Sequence, residues 1–377
     1  MKSIKTQTLF ENLSIIEDPR RDHETKLHLL EDILVMAVCA TIGGADGWEE
    51  IAEFAEVKQE WFASFLELPN GVPSHDTFRR VVILLKPDEI ERVFLEWISS
   101  SVKLSGGTLV NIDGKQIRAS KKSVDGKGAL RMVSAWVSSQ AVVLGQVKTD
   151  EKSNEITAIP ELLQLLELNG CIVTIDAMGC QTGIVKQIIR QGGDYVISLK
   201  GNQGNLHREV KDYLDWAERQ KFKDIRFDYY ETLEKGHGRI ERRRCWVTEE
   251  IQCLEQKADW EGLQSVIMVE ATREVIGGEK TVERRYFISS LAGNAKEALR
   301  CVRGHWAIEN ELHWCLDIGF REDECRTRTG NAAENLAIVR HIAINLLKQE
   351  KSCKMGIKGK RLKAGWNENY MLKVLNF

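Results

Sequence analysis

Long hydrophobic runs are absent from this chain of 377 residues. The longest apolar stretch near the N-terminus, residues 33–42, is too short to cross a bilayer as a helix. The start of the chain also lacks the basic region that precedes the apolar part of a secretory signal. We therefore expect a cytoplasmic protein without a membrane partner.

Regular cysteine spacing is absent as well. The nine cysteines include no Cys-x-x-Cys pair, and an odd, scattered set argues against a disulfide framework and fits a reducing compartment. A zinc site would need His305, His313, Cys315 and Cys325. Their spacing matches no common ligand pairing, and His313 and Cys315 point in different directions on a helix. The sequence therefore does not favour zinc.

The net charge of −3 is too small to indicate a nucleic-acid-binding protein. The charges are nevertheless unevenly distributed. Residues 1–100 carry 19 acidic and 10 basic side chains, whereas residues 326–377 carry 11 basic and 3 acidic ones. This asymmetry predicts that a polyanion would meet the C-terminal part, unless the basic end is only a solvated tail.

The chain is expected to contain four segments. Residues 1–104 have apolar residues at helical spacing and should form a helical N-terminal domain. Within it, Ser74 is expected to cap one helix and Pro87 to begin the next. The other segments are a first core part (105–204), a β-rich insertion (205–292), and a last core part with the final helices and a basic C-terminal end (293–377).

Strand and helix signals alternate in the core. Strands are predicted at 108–113, 131–137, 142–148, 171–176 and 194–199, and helices at 155–168 and 183–191. Further helices are predicted at 295–317 and 331–348. Three strands followed by helix, strand, helix and strand predict an α/β fold with a mixed sheet flanked by helices. An RNase H-like core has this order.

Three acidic residues occupy positions that suit a metal-dependent site. Asp113 and Asp176 each end an apolar run, and Glu309 lies in a helical stretch. Carboxylates at the ends of neighbouring strands can hold a pair of metal ions roughly 3.5–4 Å apart for an in-line displacement at a phosphodiester. Hard oxygen ligands favour Mg²⁺ or Mn²⁺. We therefore interpret all three acids as catalytic residues and metal ligands.

Several motifs give a more specific indication. Their residues, which lie in order along the chain, are 112–115, 152–160, 174–181, 193–196, 237–239, 305–310, 312–314 and 330–334. Together they make the chain, from about residue 8 to 375, resemble the H-repeat-associated transposases of bacterial insertion sequences, which are DDE transposases. The resemblance implies an RNase H-like core, a helical N-terminal domain and DNA strand transfer. By position, it places the catalytic triad at Asp113, Asp176 and Glu309.

One part of the motif pattern departs from related DDE transposases. These carry Tyr, Arg and Lys around the last acid, whereas this chain has Val302, His305 and Leu316 at those positions. His305 and His313 each lie four residues from Glu309 and are candidates to replace the missing phosphate contacts. A neutral histidine is a weaker phosphate partner than arginine, so activity is expected to be reduced.

Other polar residues are candidates for DNA binding. Lys115 and Arg118 follow the first aspartate, whereas Lys200 and Gln203 follow the last core strand, at the sheet end where ligands of α/β proteins bind. The remaining candidates are Arg239 in a predicted turn and Arg326, Arg328 and Arg340 in the basic C-terminal part. Each group has a plainer interpretation as a polar surface.

The leading functional hypothesis is a DNA transposase that uses Mg²⁺ or Mn²⁺ and acts on terminal inverted repeats and target DNA. Joining two DNA ends would require at least a homodimer. Two alternatives stay open: a nuclease that has the same site but no strand transfer, and a DNA-binding remnant of a transposase with weak or no catalysis. A recombinase with a Ser or Tyr nucleophile is less favoured, because no such residue has an activating neighbour in the sequence.

Overall fold

The computed structural model describes residues 9–21, 26–120, 129–149, 155–236, 238–275 and 277–375. Residues 152–154 and His237, which belong to the motifs above, lie outside these ranges. The chain divides into two compact units. Unit 1 consists of Met1–Lys103, Gly114–Asn154 and Glu309–Phe377, and unit 2 consists of Leu104–Asp113 and Glu155–Ile308.

The described residues form nine strands and fourteen α-helices. The strands are β1 Leu109–Gln116, β2 Arg131–Val137, β3 Val142–Lys148, β4 Ile172–Ile175, β5 Asp194–Leu199, β6 Asp228–Gly236, β7 Arg239–Thr248, β8 Ser265–Val275 and β9 Lys280–Ser289. The helices are α1 Leu9–Leu13, α2 Leu30–Gly43, α3 Trp48–Val57, α4 Gln59–Phe62, α5 His75–Leu84, α6 Pro87–Ser101, α7 Glu155–Gln164, α8 Thr182–Arg190, α9 Gly204–Arg219, α10 Ala295–Ala307, α11 Trp314–Phe320, α12 Ala332–Gln349, α13 Ile357–Trp366 and α14 Glu368–Leu375. A π-helical segment, Ile308–His313, connects α10 to α11.

Two helix starts in unit 1 confirm the sequence signals. The Ser74 hydroxyl accepts a hydrogen bond from the Thr77 backbone N–H at 3.4 Å, which satisfies one of the free N–H groups at the start of α5. Pro87 is the first residue of α6, where its missing N–H costs nothing and its fixed φ suits the helix.

The core of unit 1 combines helices from both ends of the chain. Helix α2 is buried at nearly every position and packs against α3, α12 and α13. Helix α12 is also buried along most of its length. The buried guanidinium of Arg361 donates to the Thr41 carbonyl oxygen and forms an ion pair with Asp46 at 2.9 Å. Part of the basic C-terminal charge is therefore neutralised within this unit.

Unit 1 also contains a β-hairpin. Strands β2 and β3 pair in antiparallel fashion, from Met132↔Lys148 to Val137↔Val142. The buried Asn345 side chain of α12 accepts from the Val143 N–H at 2.8 Å and donates to the Val143 carbonyl at 2.9 Å. These two bonds satisfy Val143 and fix α12 against β3.

Unit 2 is built on a mixed sheet with the strand order β1-β4-β5-β9-β8-β7-β6. Strands β1, β4 and β5 are parallel, and the remaining neighbours are antiparallel. Strand β1 belongs to both units, because its residues up to Asp113 lie in unit 2 and those from Gly114 lie in unit 1. The expected α/β class with an RNase H-like mixed sheet and flanking helices is confirmed.

The region expected to be a β-rich insertion differs from that expectation at its start and in the length of its strands. It begins with the sixteen-residue helix α9, which the sequence interpretation did not include. Its four strands extend the core sheet, because β9 pairs with β5 from Val196↔Ser289 to Leu199↔Tyr286. Strands β6 to β9 are also longer than their apolar centres indicated.

The helices and cysteines of the described residues bear on the expectations about membrane spans and disulfide bonds. In the described ranges, no helix combines the length and the apolar composition that crossing a membrane requires. All nine cysteines are free thiols, and solvent reaches Cys253 and, in part, Cys325.

Candidate active site

The two aspartates lie side by side in unit 2, where the pairing of β1 with β4 ends, although β1 itself continues to Gln116 beyond its predicted end at residue 113. Strands β1 and β4 are parallel, and Ile112 pairs with Ile175 in their register. Asp113 and Asp176 are the next residues of the two strands. Because neighbouring strands are about 4.8 Å apart, the two carboxylates start from adjacent backbone positions at the same edge of the sheet. Both residues are half-exposed.

The turn after β4 holds the Asp176 carboxylate. Its Oδ1 accepts hydrogen bonds from the backbone N–H groups of Met178 at 2.9 Å and Gly179 at 3.4 Å. Among the described residues, no group donates to Oδ2. One oxygen of Asp176 is therefore fixed by the backbone, and the other is available to a ligand.

A buried polar network lies behind the aspartates. The Thr174 hydroxyl donates to Asn111 Oδ1 at 2.7 Å and lies 3.1 Å from Nδ1 of His305. Asn111 and Thr174 come two residues before Asp113 and Asp176, so the two-residue period of a strand places each pair on one face. The sequence interpretation missed this network, although single polar residues in two apolar runs were a usable signal.

The hydrogen bonds define the state of His305. Since the Thr174 hydroxyl donates its proton to Asn111, it accepts the Nδ1–H of His305. Burial lowers the pKa of His305 to about 4, although the charge of Asp176 acts in the opposite direction. The imidazole is therefore neutral at pH 7, with its proton on Nδ1 and a lone pair on Nε2.

Helix α10 comes close to β1 because it has a glycine at the contact. A Cβ atom at Gly304 would lie 2.6 Å from Cδ1 of Leu109, which is closer than real contacts allow. The absence of a side chain at Gly304 thus lets the next residue, His305, reach Thr174. This contact positions the end of α10. Unit 2 extends to Ile308, the residue directly after this helix.

Glu309 follows Ile308 directly and belongs to unit 1. It is exposed and lies in the π-helical segment Ile308–His313, instead of in the continuous helix 295–317 expected from the sequence. Such segments are rare and are frequent at functional sites. Val302 and Leu316, which replace the Tyr and the Lys of related DDE transposases, are buried.

The donor atoms at the strand ends suit a hard cation. Carboxylate oxygens are the ligands that Mg²⁺ and Mn²⁺ prefer, and Asp113 and Asp176 supply them from adjacent positions. Within the described ranges, no group of three or more His, Cys, Asp and Glu side chains is arranged to hold a metal ion. Asp113 and Asp176 thus supply two donors on unit 2, but the described residues do not bring a complete set of metal ligands together.

The DNA-binding candidates of unit 2 have different surroundings. Lys200 is exposed after β5, and the Gln203 side chain donates to the Cys180 carbonyl at 2.8 Å. Gln203 thereby ties the loop after β5 to the loop after Asp176. Arg239 forms an ion pair with Glu241 at 2.6 Å. DNA contact by these residues and by His305 stays a prediction.

In unit 1, Lys115 is surrounded by carboxylates. Its ammonium group lies 2.6 Å from Asp317, 3.2 Å from Glu322 and 3.2 Å from Asp323, and its side chain is only 9% exposed. The exposed Arg118 also forms an ion pair with Asp323 at 3.2 Å. These contacts fix the end of β1 to the segment after α11, and a DNA contact by either residue or by His313 stays a prediction.

A cleft of about 980 Å³ opens in unit 1. Arg79, Arg321, Arg326 and Arg328 contribute to its lining, together with Trp48. Arg326 and Arg328 are exposed, and Arg328 donates to the Ala119 carbonyl at 2.7 and 3.0 Å.

Arg340 was expected on the surface but lies in the interior of unit 1. It is 4% exposed and sits 3.8 Å from Glu322, so the expectation that it contacts a phosphate is wrong. Its position on α12, a helix buried along most of its length, prevents that contact.

Comparison with known proteins identifies the family. The fold and the two adjacent aspartates define an RNase H-like α/β protein with a candidate phosphoryl-transfer site. Residues 104–346 match the family described as "Transposase DDE domain", and residues 10–98 match the family "DDE_Tnp_1-associated". The chain belongs to the DDE transposase family.

Two relatives match this chain over nearly its full length. The "H repeat-associated putative transposase YhhI" of Escherichia coli K12 is 39% identical, with 99% of this chain and 98% of that protein covered. The "Putative transposase YncI" of Escherichia coli O157:H7 is 41% identical, with 98% and 94% covered. A shorter relative, "Inactive transposase YbfQ" of Escherichia coli K12, is 39% identical over 21% of this chain and 93% of its own length. The resemblance seen in the sequence is confirmed.

Among solved structures, a piggyBac transposase synaptic complex with hairpin DNA has a TM-score of 0.44 and 11% identity. The match covers 98% of this chain and 81% of that chain.

Proposed function

We propose that this protein is a metal-dependent DNA transposase that cleaves the ends of an insertion sequence and joins them to target DNA. Asp113, Asp176 and Glu309 are its catalytic acids. The observation that carries the proposal is the pairing of Ile112 with Ile175, which brings the two following aspartates to adjacent backbone positions within the matched transposase domain.

The carboxylates of the three acids would hold Mg²⁺ or Mn²⁺, which when bound activates the attacking oxygen and stabilises the leaving oxygen of the phosphodiester. Asp176 is suited to this role because the backbone holds its Oδ1 while Oδ2 stays available. Glu309 is assigned from the motif order and from its place directly after the segment of α10 that packs on β1.

His305 serves the site as a neutral group. Its low pKa makes it a weaker partner for a charged phosphate than an arginine would be. Its Nδ1–H keeps the end of α10 bound to β4, and its Nε2 can accept a hydrogen bond. Lys200, exposed after β5, is the cation of unit 2 that we assign to a DNA phosphate.

DNA is the proposed partner, in the form of terminal inverted repeats and target sites. The exposed guanidinium groups of Arg326 and Arg328 in the cleft of unit 1 suit bidentate contacts with phosphates. A homodimer is proposed for the step in which two ends are joined, because each end needs its own set of acids.

The decisive experiment incubates the purified protein with the DNA ends that flank its gene and Mg²⁺, and measures nicked and joined products on gels. Asp113→Asn and Asp176→Asn should lower cleavage by at least a hundredfold and leave end binding intact, because each removes a charged ligand but keeps the shape. Asp212→Asn, at an exposed position of α9, is the matched control and should cleave normally. Cleavage by both active-site variants at the wild-type rate would refute the assignment.

A second candidate function is a DNA-binding remnant without catalysis. The observation in its favour is that the buried Val302 and Leu316 replace the Tyr and the Lys that related DDE transposases carry around Glu309. Specific binding of the ends with no nick in Mg²⁺ or Mn²⁺ would establish this alternative. Nicked ends without joined products would indicate the nuclease instead.

A further inference from the structure

We propose that Cys325, in the cleft of unit 1, is a peroxide-reactive cysteine. The proposal depends only on the thiol and its neighbours.

Cys325 is accessible to small reagents. It lines the cleft of about 980 Å³ and is partly exposed. Seven of the nine cysteines are buried, so the other thiol that solvent reaches is Cys253. A reagent that enters the cleft therefore meets a single sulfur atom, next to Arg326 in the chain.

A buried cation lies against the Cys325 sulfur. The guanidinium of Arg340 is 4% exposed, and its Nη1 has no hydrogen-bond partner among the described residues. Arg340 interacts with the Cys325 side chain, whereas its carboxylate neighbour Glu322 is 3.8 Å away and is shared with Lys115 at 3.2 Å. A negative charge on Cys325 would give this guanidinium a second counter-charge beside Glu322.

The charges around the sulfur favour the thiolate. Burial alone would raise the pKa of Cys325, but Arg340 and hydrogen bonds from Thr327 outweigh it and leave the pKa below the usual value. At Cys253 burial raises the pKa, so the exposed thiol is less reactive. A thiolate is the reactive form of cysteine.

The exposed Arg326 and Arg328 of the cleft have no carboxylate partner among the described residues, whereas its other charged groups have partners. Each acid is bound in unit 1, Asp46 to Arg361, Asp323 to Lys115 and Arg118, and Glu324 to Arg321, while Glu50 accepts the Asp46 N–H. Arg79 faces Asp76 at 3.6 Å. Arg340 is the buried charge that acts on Cys325.

The reaction is a two-electron oxidation by hydrogen peroxide. The thiolate sulfur attacks one peroxide oxygen, a new S–O bond forms, and the O–O bond breaks. Hydroxide leaves and takes up a proton to become water. The cysteine is oxidised to a sulfenic acid and the peroxide is reduced, and a free thiol can restore the cysteine through a disulfide.

The first experiment measures thiol reactivity in the full-length protein by mass spectrometry. Iodoacetamide should alkylate Cys325 at least tenfold faster than Cys253 at pH 7, and the rate at Cys325 should level off at a lower pH. After hydrogen peroxide, dimedone should label Cys325 and leave Cys253 unlabelled. Equal alkylation rates, or no dimedone adduct at Cys325, would overturn the proposal.

A substitution tests the role of the buried cation. Arg340→Met should remove the rate advantage of Cys325, and the pH profile of the wild-type protein tests the same point if this variant does not fold. A folded Arg340→Met protein that alkylates Cys325 at the wild-type rate would overturn the role of Arg340.

Discussion

At the residue scale, the site depends on polar side chains that were less visible in the sequence than its acids. Asp113 and Asp176 could be found because each ends an apolar run. Asn111 and Thr174 lie inside those runs and are buried, so they could be recognised only after the strand period was applied to the acids. His305 was expected to contact phosphate, because a sequence does not show that burial keeps a histidine neutral.

Removal of the Thr174 hydroxyl tests this network. Thr174→Val keeps the shape of the side chain but leaves Asn111 Oδ1 and His305 Nδ1–H without their common partner. We expect a loss of about 1–3 kcal/mol in the free energy of unfolding, measured by urea denaturation. Thr174→Ser keeps the hydroxyl and should lose less. Equal stabilities of the two variants would show that the hydroxyl contributes nothing.

At the element scale, most core elements agree with the sequence pattern. The predicted strands 131–137, 142–148 and 194–199 match β2, β3 and β5 residue for residue, since apolar β-branched runs bounded by turn residues define them. Helix α9 was missed because its buried residues form a narrow stripe in a charged segment. That stripe, Leu206, Val210, Leu214 and Ala217, has helical spacing, so the signal was present.

Helix α10 offers a test of close packing. In Gly304→Ala the added methyl group would lie 2.6 Å from Cδ1 of the buried Leu109, so either this side chain or α10 must shift. We expect a cost of about 1–3 kcal/mol in the free energy of unfolding, together with slower DNA cleavage.

Gly183→Ala in α8 is the matched control, because nothing lies within 4 Å of its new methyl group. This control should be neutral or slightly stabilising, by up to about 1 kcal/mol, since alanine favours helices more than glycine. A Gly304→Ala protein as stable as the Gly183→Ala protein would exclude the proposed contact between α10 and β1.

At the scale of the whole molecule, charge distribution was only partly informative. The acidic N-terminal and basic C-terminal segments are both parts of unit 1, and Arg361 there neutralises Asp46. Lys360 is also buried and donates to the Leu347 carbonyl at 2.8 Å. Sequence counts could not show which charges are used internally, and the exposed Arg326 and Arg328 are the ones we assign to DNA.

The salt dependence of DNA binding tests that assignment. Replacing Arg326 and Arg328 with glutamine should weaken binding and lower the slope of log K against log salt by about 0.9 for each phosphate that the protein no longer neutralises. Fluorescence anisotropy at several salt concentrations measures the slope. Arg208→Gln, at an exposed position of α9, should leave it unchanged. A double variant with the wild-type slope would place the DNA elsewhere.

The pH dependence of stability tests a buried acid in unit 1. Burial raises the pKa of Glu91 to about 8, although its Oε1 accepts the Gln146 N–H at 2.9 Å. Folded Glu91 therefore holds a proton that the unfolded chain releases near the ordinary glutamate pKa of 4.5. Its stabilising contribution is complete below that value and is lost as the pH rises to about 8.

Glu91→Gln should thus flatten the fall in unfolding free energy between pH 5 and pH 8, and at pH 8 it should be more stable than wild type by on the order of 2 kcal/mol. Urea denaturation across this range measures the effect. Glu56→Gln, at an exposed position of α3, should follow the wild-type curve. A wild-type profile for Glu91→Gln would show that Glu91 is already ionised in the folded protein.

The packing of α2 against α12 has a consequence for synthesis on the ribosome. Residues 30–43 emerge early, but the helix that covers them, Ala332–Gln349, is translated roughly three hundred codons later. Until then the apolar surface of α2 lacks its final neighbour, and chaperones are the natural protection for such a nascent segment. Early termination upstream of residue 332 would leave that surface permanently uncovered, and the product would be prone to aggregation and degradation.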